Sequence, residues 1–504
     1  MRTAGKEDLH MSELGREIRV ALRAMLRDKT YALPVLVTLA LCVAANAVVF
    51  TVVSSVVLRP LPLPQPERLV HVANSYPKAG VEEADNSVPD YYDRRQAVPA
   101  FAELALYDSV GRTLGTAAGA ERVTAMVATP SLFPLLRAQA LRGRTLGESD
   151  GVPGQEQKVL LSYGLWRRLF AGREDAVGKT VRVNGAPHTV IGVMPRDFLF
   201  VDPEVSLWLP LAFAPEDRAD DRRHSNNYLM IARLRPGATL AQAQQQIDAL
   251  NRANLDRVPS YKQALIDAGY TTTTQPLQER LVGRVKKTLY LLWGAVLFVL
   301  VIGCVNVANL ALVRSTSRAR EVAARQALGA GPGRLLRQLL LESLLLSGGA
   351  SLVGTALAYL LLRALADTAF ASLPRANEIT LGAPTVVLIA GVSLGVGLLL
   401  ALIPLLHGSR ANLARTIREE GRTGTASRST RAVRRLLVAS QVGIAFVLLL
   451  GAGLLLASFR ELLRVDPGFE PAGVLTGKLS LPSATYADDA ALPAWHSRFL
   501  ERVR

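Results

Sequence analysis

Five stretches of the chain carry no Asp, Glu, Lys or Arg: residues 31–58, 288–313, 343–362, 379–409 and 436–459. Each is long enough to cross a hydrocarbon core about 30 Å thick as a helix. The pattern predicts spans at 31–58, 288–313, 339–362, 384–406 and 436–459. One such run suits a buried helix of a soluble protein; five do not. The first is too long for the apolar core of a signal peptide and follows some thirty residues, so it reads as a retained helix. Ahead of it, Leu14, Ile18, Leu22 and Met25 recur every three or four residues, with Arg16, Arg19, Arg23 and Arg27 on another face. Residues 12–30 therefore read as an amphipathic helix that lies on an anionic inner leaflet, packs on the following loops, or does both.

Between the first two spans, residues 59–287 change character. The segment opens on RPLPLPQPERLV, whose Pro60, Pro62, Pro64 and Pro66 make a stiff extended exit from the membrane. GAERVTAMVAT, KVLLS, KTVRVNG, HTVIGVMP and NYLMIARL read as strands. Leu240, Ala243, Ile247 and Leu250 have helical spacing behind a Thr239 cap. The mixture predicts an α+β domain. Trp166 and Trp208 are expected in its core. His71, His188 and His224 are far apart and lack metal-ligand spacing.

AGREDAVGKT, residues 171–180, ends like a phosphate-binding loop. That loop needs four residues between its first glycine and Gly-Lys-Thr, but five separate Gly172 from Gly178. A helix should follow. Instead VRVNGAPHTVIGV alternates around Asn184-Gly185, which favours a tight hairpin. No ATP site is expected here, and no catalytic, cofactor or metal set emerges elsewhere.

Composition agrees with a membrane protein: 504 residues, 50% hydrophobic and 20% charged. The net charge of +16 is best explained by where the basic residues lie. Arg16, Arg19, Arg23, Arg27 and Lys29 precede the first span. Arg314, Arg318, Arg320, Arg325, Arg334 and Arg337 lie between the second and third, against Glu321. Eight arginines from Arg410 to Arg435 precede the fifth, against Glu419 and Glu420. The positive-inside rule puts these segments and the N-terminus in the cytoplasm and residues 59–287 outside. Nucleic acid is not an expected partner. Cys42 and Cys304 both fall inside spans, so the outer domain has no disulfide of its own.

Residues 314–338 form a basic cytoplasmic loop, and 407–435 a second. In the first, Ala319, Val322, Ala323 and Ala327 make a small-residue stripe, and Glu321 and Arg325 are paired at i, i+4. A short helix is expected to end at Gly329-Ala330-Gly331, with Pro332 opening the next. It reads either as a docking element for another protein or as a solvated connector. The order basic segment, apolar helix, proline-containing exit recurs at 431–471. Residues 460–504 thus look like the start of a second outer domain, cut short, as in a coarse duplication.

The segments ALRAMLRDKTYALPVLVTLALCVAANAVVFTVVSSVVLRPLPLPQPERLV, VPDYYDRRQAVPAFAELALY, LRGRTLGESD, VLLSYGLWRRLFAG, AVGKTVRVNGAPHTVIGVMPRDF, RLRPGATLAQAQ and SRAREVAARQALGAGPGRLLRQLLLES appear in one order. In this combination the chain resembles the bacterial MacB-like and FtsX-like permeases of ATP-binding-cassette systems, and most closely the duplicated permeases first noted in acidobacteria. The resemblance implies an α-helical integral membrane protein of the bacterial inner membrane with a large α+β MacB-type periplasmic core domain at 59–287. It also implies an FtsX-like permease unit at 288–410. It carries an ATPase-coupling contact onto Arg320, Glu321, Ala324, Arg325, Ala327, Leu328, Gly329 and Ala330, docking on a separate cytoplasmic ATP-binding-cassette ATPase. A periplasmic adaptor or envelope protein would be a further partner. The macrolide exporter of this family is fused to an ATPase domain; this sequence carries none, so ATP enters only through a partner subunit.

Two functions follow. The first is a permease subunit that couples ATPase cycling to periplasmic domain motion for export or efflux. The alternative is a non-transporting regulator of an envelope enzyme, or a structural envelope protein. The spans contain no Asp, Glu, Lys or Arg apart from Glu342 near an end, which argues against an ion-coupled secondary transporter. Gly391 and Gly395 are expected to serve helix packing.

Overall fold

The computed structural model describes residues 16–23, 25–116, 119–327, 332–366, 368, 370, 373–408, 428–465, 468, 470, 473–477 and 491–503. The chain divides into two compact units: Met1–Arg59 with Arg284–Pro471, and Pro60–Gly283 with Ala472–Arg504.

The second unit holds an 11-stranded mixed sheet. Its strands are β1 (Leu69–Tyr76), β2 (Val81–Ala84), β3 (Phe101–Thr116), β4 (Gly119–Ala128), β5 (Arg142–Gly143), β6 (Lys158–Leu161), β7 (Thr180–Val183), β8 (Ala186–Val193), β9 (Val205–Pro210), β10 (Leu229–Leu234) and β11 (Thr271–Pro276). They run in the order β11-β1-β10-β3-β4-β9-β6-β8-β5, with β2 beside β1 and β7 beside both β3 and β8. Most pairs are antiparallel, but β4–β9 and β6–β8 are parallel. The period of two divides β10 between two cores. Leu229 and Ile231 face Leu69, Phe133 and Trp208, whereas Met230, Ala232 and Leu234 face Val72, Leu104 and Ile247. The second face is covered by helix Leu240–Arg257, where Thr239 and Gln242 form a capping box.

The Asn184-Gly185 hairpin forms, with φ of 50° and 82° at its two central residues, the left-handed pair that a tight turn between β7 and β8 requires. Asn184 Oδ1 accepts from the Thr113 amide at 2.8 Å, tying the turn to β3. Trp166 and Trp208 are both buried.

Five helices among the described residues are long and apolar enough to cross a membrane, and apart from residues 277–283 they belong to the first unit: Lys29–Leu58, Leu277–Arg314, Leu336–Leu365, Ala383–Leu402 and Val438–Glu461. Val35, Leu39, Val307, Ala311, Leu346, Ala350, Val396 and Leu400 bring the first four around one apolar core. The third lies closely on the first because Gly354 has no side chain: a Cβ there would stand 2.8 Å from the Ala40 carbonyl oxygen. Gly397 likewise meets Leu344 and Ser347 of the third. Gly391 and Gly395, expected to serve packing, instead face open space. Buried polar groups add to the join: Thr51 and Thr385 hydroxyls are 3.1 Å apart, and Asn46 donates to the Val296 carbonyl at 3.2 Å. The apolar window of the fifth helix has no buried residue.

Candidate functional site

The expected docking segment begins where the second span ends. The helix there does not stop. It runs unbroken from Leu277 to Ala327, and the next helix starts at Pro332. The segment is thus a continuation of the second span rather than a separate short helix. Its sequence gives the reason: RSTSRAREVAARQA contains neither Gly nor Pro to break the hydrogen-bond ladder. Arg320, Glu321, Ala324, Arg325 and Ala327 lie on this helical backbone. Leu328, Gly329 and Ala330 lie outside the described residues, as does the Gly329-Ala330-Gly331 stop.

The base of the extension is anchored by charges. Arg314 Nε lies 3.0 Å from Asp28 Oδ2, just before the first span helix, and its Nη2 lies 3.6 Å from Glu342 Oε2 on the third. The guanidinium also stacks over the Tyr31 ring, 4.2 Å from its centroid. Glu342 is 4% exposed and accepts from Gln338 Nε2 at 3.2 Å. Arg337 pairs with Glu17, so residue 17 of the amphipathic segment is held on the third helix. Arg314 therefore links three helices at the point where the second runs on towards residue 327. The sequence marked Arg314 only as a topology charge; the spacing of 28 residues to Glu342 gives no local signal.

A second arginine braces the opposite end of the first span. There the helix winds into a π turn at Ser54–Leu58. Arg375 Nη1 donates to the carbonyls of Val56 at 3.1 Å and Arg59 at 2.6 Å, while Nε and Nη2 hold Glu378 at 2.9 and 2.6 Å. The loop between the third and fourth spans thereby grips the last carbonyls of the first.

In the sheet domain, the polar residues build structure. Arg94, 1% exposed, donates to Asn86, Asn74 and Thr272 at 2.5, 2.6 and 2.9 Å. Asp90 receives Asn74 at 2.8 Å and faces Arg223 at 3.4 Å. The segment VPDYYDRRQ is thus the hub of a buried network joining a helix to β1 and β11. Arg144 grips Asp150 with two bonds of 2.5 and 2.8 Å.

The histidines are dispersed. His71 is buried against Glu83 at 3.1 Å, and Arg280 Nε holds the same carboxylate at 2.5 Å. Burial, then Arg280, push the His71 pKa down. His224 meets the Tyr76 hydroxyl at 3.0 Å, and burial lowers its pKa too. His188 Nδ1 lies 3.0 Å from the Ala186 carbonyl. Among the described residues no three His, Cys, Asp or Glu side chains group to hold a metal. Lys179 of GKT pairs with Asp175 at 2.7 Å on the surface, where Lys179 and then Arg173 hold the Asp175 carboxyl down to about 2.

With that geometry, two family profiles match. The MacB-like periplasmic core domain covers residues 35–250, and the FtsX-like permease C-terminal region covers 293–413. The two matches, in this order along the chain, make it similar to the MacB/FtsX-like permeases. The macrolide export ATP-binding/permease protein MacB of Chromobacterium violaceum is 30% identical over 269 residues, 52% of this chain and 38% of that protein. Its counterpart in a Shewanella strain is 26% identical over 322 residues, 62% of this chain and 46% of that one. The match therefore spans less than half the length of either relative. The periplasmic region of MacB from Actinobacillus actinomycetemcomitans aligns over 44% of this chain and 92% of that one, at 16% identity and a TM-score of 0.31. Strands β1 to β10 of the sheet domain lie within the match to the MacB-like periplasmic core domain.

Proposed function

We propose that this chain is the permease subunit of an ATP-binding-cassette system, converting the cycling of a separate cytoplasmic ATPase into movement of the periplasmic core domain for export or efflux. The observation that carries the reading is the continuous helix Leu277–Ala327. At about 1.5 Å per residue it is about 75 Å long, more than twice what the hydrocarbon core requires. Its first residue, Leu277, is part of the apolar core of the sheet domain, and its last turns carry Arg320, Glu321, Ala324, Arg325 and Ala327. On this reading the helix is the element along which a displacement would travel.

Arg314 supports the same reading, because it ties that helix to the first and third spans. The basic residues of 16–29, 314–337 and 410–435 support a cytoplasmic N-terminus and a cytoplasmic extension. Glu342, the acid within the third span helix, is engaged by Arg314 and Gln338, which leaves the spans suited to force transmission rather than proton relay. Anionic inner-leaflet lipid and a periplasmic adaptor or envelope protein are further partners on this reading. The order of the quoted segments is what supports a likeness to the duplicated permeases.

Reconstitution tests it. The chain in nanodiscs should bind a cytoplasmic ATPase encoded in the same genome and change its hydrolysis rate. An ATPase that neither binds nor responds contradicts the proposal.

A further inference from the structure

Strand β10 alternates apolar residues on one face until Arg233. Leu229 and Ile231 enter the cluster of Leu69, Leu132 and Leu135, and the period of two sets Arg233 on the same side. Arg233 is 2% exposed. Its Nε donates to the Leu135 carbonyl at 2.5 Å and its Nη1 to the Gln65 carbonyl at 3.2 Å. Nη2 is buried and has no hydrogen-bond partner.

Two further arginines belong to the same neighbourhood: Arg68 shares Gln65 with Arg233, and Arg137 follows by two residues the Leu135 whose carbonyl Arg233 holds. Arg68 donates to the carbonyl of the next residue, Leu234, at 2.9 Å from Nε, and to Gln65 Oε1 at 2.6 Å. Arg137 is the exposed, left-handed residue (φ 55°) that ends helix Leu132–Leu136, one turn of which supplies the Leu135 carbonyl. Burial first, then Arg137 and Arg68, pull the Arg233 pKa down to about 10, and exposed Glu67 offsets them in part. A buried guanidinium with an idle donor, set among like charges, is an unfavourable arrangement that an anion relieves.

We propose that Arg68, Arg137 and Arg233 form a binding site for a phosphate-type anion on the segment that leads from the first span into the sheet domain. A phosphate group offers several acceptor oxygens and matches the planar guanidinium fork. Arg137 gives the solvent-side contact, Arg68 the partly exposed wall, and Arg233 Nη2 the buried floor that gains an acceptor. Gln65, whose carbonyl Arg233 holds, follows the end of the first apolar run at Leu58 by seven positions. Both the phosphodiester of an anionic lipid headgroup and free inorganic phosphate have the required chemistry.

Calorimetric titration of the whole 504-residue chain in zwitterionic nanodiscs distinguishes the sources. One arm adds inorganic phosphate; the other adds short-chain phosphatidylglycerol. Saturable binding in the first arm assigns a free anion, and binding in the second alone assigns a lipid headgroup. In either case Arg137→Glu, a surface change that leaves the core intact, weakens binding at least about ten-fold, whereas Arg137→Lys retains most of it. Absence of saturable binding in both arms, or equal affinity in Arg137→Glu, overturns the proposal. So does a phosphate-soaked crystal in which Nη2 carries an ordered water alone.

Discussion

The guanidinium of Arg314 lies 3.6 Å from the carboxylate of Glu342, which is 4% exposed on the third membrane helix. That pairing explains how an acid is tolerated within a span helix, and it fixes the base of the helical extension to its neighbours. Removing one partner of a buried pair leaves the other charge uncompensated, at about 3 kcal/mol or more. Arg314→Ala should therefore lower the thermal stability of the detergent-solubilised protein markedly. Glu342→Gln, which keeps an acceptor for Gln338, should cost less, and the double variant less than the two single costs added. Additive losses would show that the two residues act independently.

Lys179 provides the second prediction. Because it pairs with Asp175 beside a tight hairpin rather than at a helix N-terminus, Lys179→Ala should leave nucleotide affinity unchanged and negligible. Equilibrium binding of a fluorescent ATP analogue to the full chain measures this. Magnesium-dependent micromolar affinity that the variant abolishes would restore the phosphate-loop interpretation.

The third concerns pH. His71 is held neutral by burial and by Arg280, so its folded pKa lies below its ordinary value of 6.5. The unfolded chain then binds the extra proton first on acidification. Stability is full above pH 6.5 and declines as pH falls below it towards the lowered folded value. His224 is shifted in the same direction and adds to the decline. Melting curves between pH 7.5 and about 5 should show the loss, and His71→Gln should flatten it. A wild-type melting temperature that is constant over this window would contradict the burial argument.

Topology offers a fourth test. Ser225 is exposed on the sheet domain, and Ser317 lies on the helical extension. A cysteine at position 225 should react in intact cells with an impermeant thiol reagent, and one at 317 should not. Ser87 is unsuitable as a probe, because it is fully buried and caps helix Val88–Ala97. Labelling at 317 from outside would reverse the orientation.

The spans and the α+β class are legible in the sequence because hydropathy and strand alternation are local. The Asn184-Gly185 turn is legible for the same reason. Sheet order is not: β4 finds β9 and β6 finds β8 in parallel across long intervals, which no local signal specifies. The sequence counts small residues but not helix rotation, so Gly391 and Gly395 stood out while Gly354 and Gly397 make the close contacts. The loop-like charge pattern after Val313 suggests a short separate helix for the docking segment. The backbone ladder ignores that pattern and continues to Ala327. Arg314 and Arg375 act through partners distant in sequence, Glu342 and Asp28 for one and the carbonyls of Val56 and Arg59 for the other. Their roles appear only once the helices are assembled.

The central claim is that the extension of the second span receives a push from an ATPase and passes it along an unbroken helix. The sequence spacing puts Ala323 with Ala319, Val322 and Ala327 in the small-residue stripe, and its backbone is on the helical extension, outside the apolar run. The direct measurement is ATP hydrolysis by the genomic partner ATPase with the chain in lipid nanodiscs, alongside pull-down and membrane abundance, for wild type and Ala323→Trp. The account predicts normal abundance, with partner binding or stimulated hydrolysis reduced at least about ten-fold, since an indole on this face prevents the close approach that small residues permit. Wild-type binding and hydrolysis in Ala323→Trp would make the extension a plain connector and contradict the account.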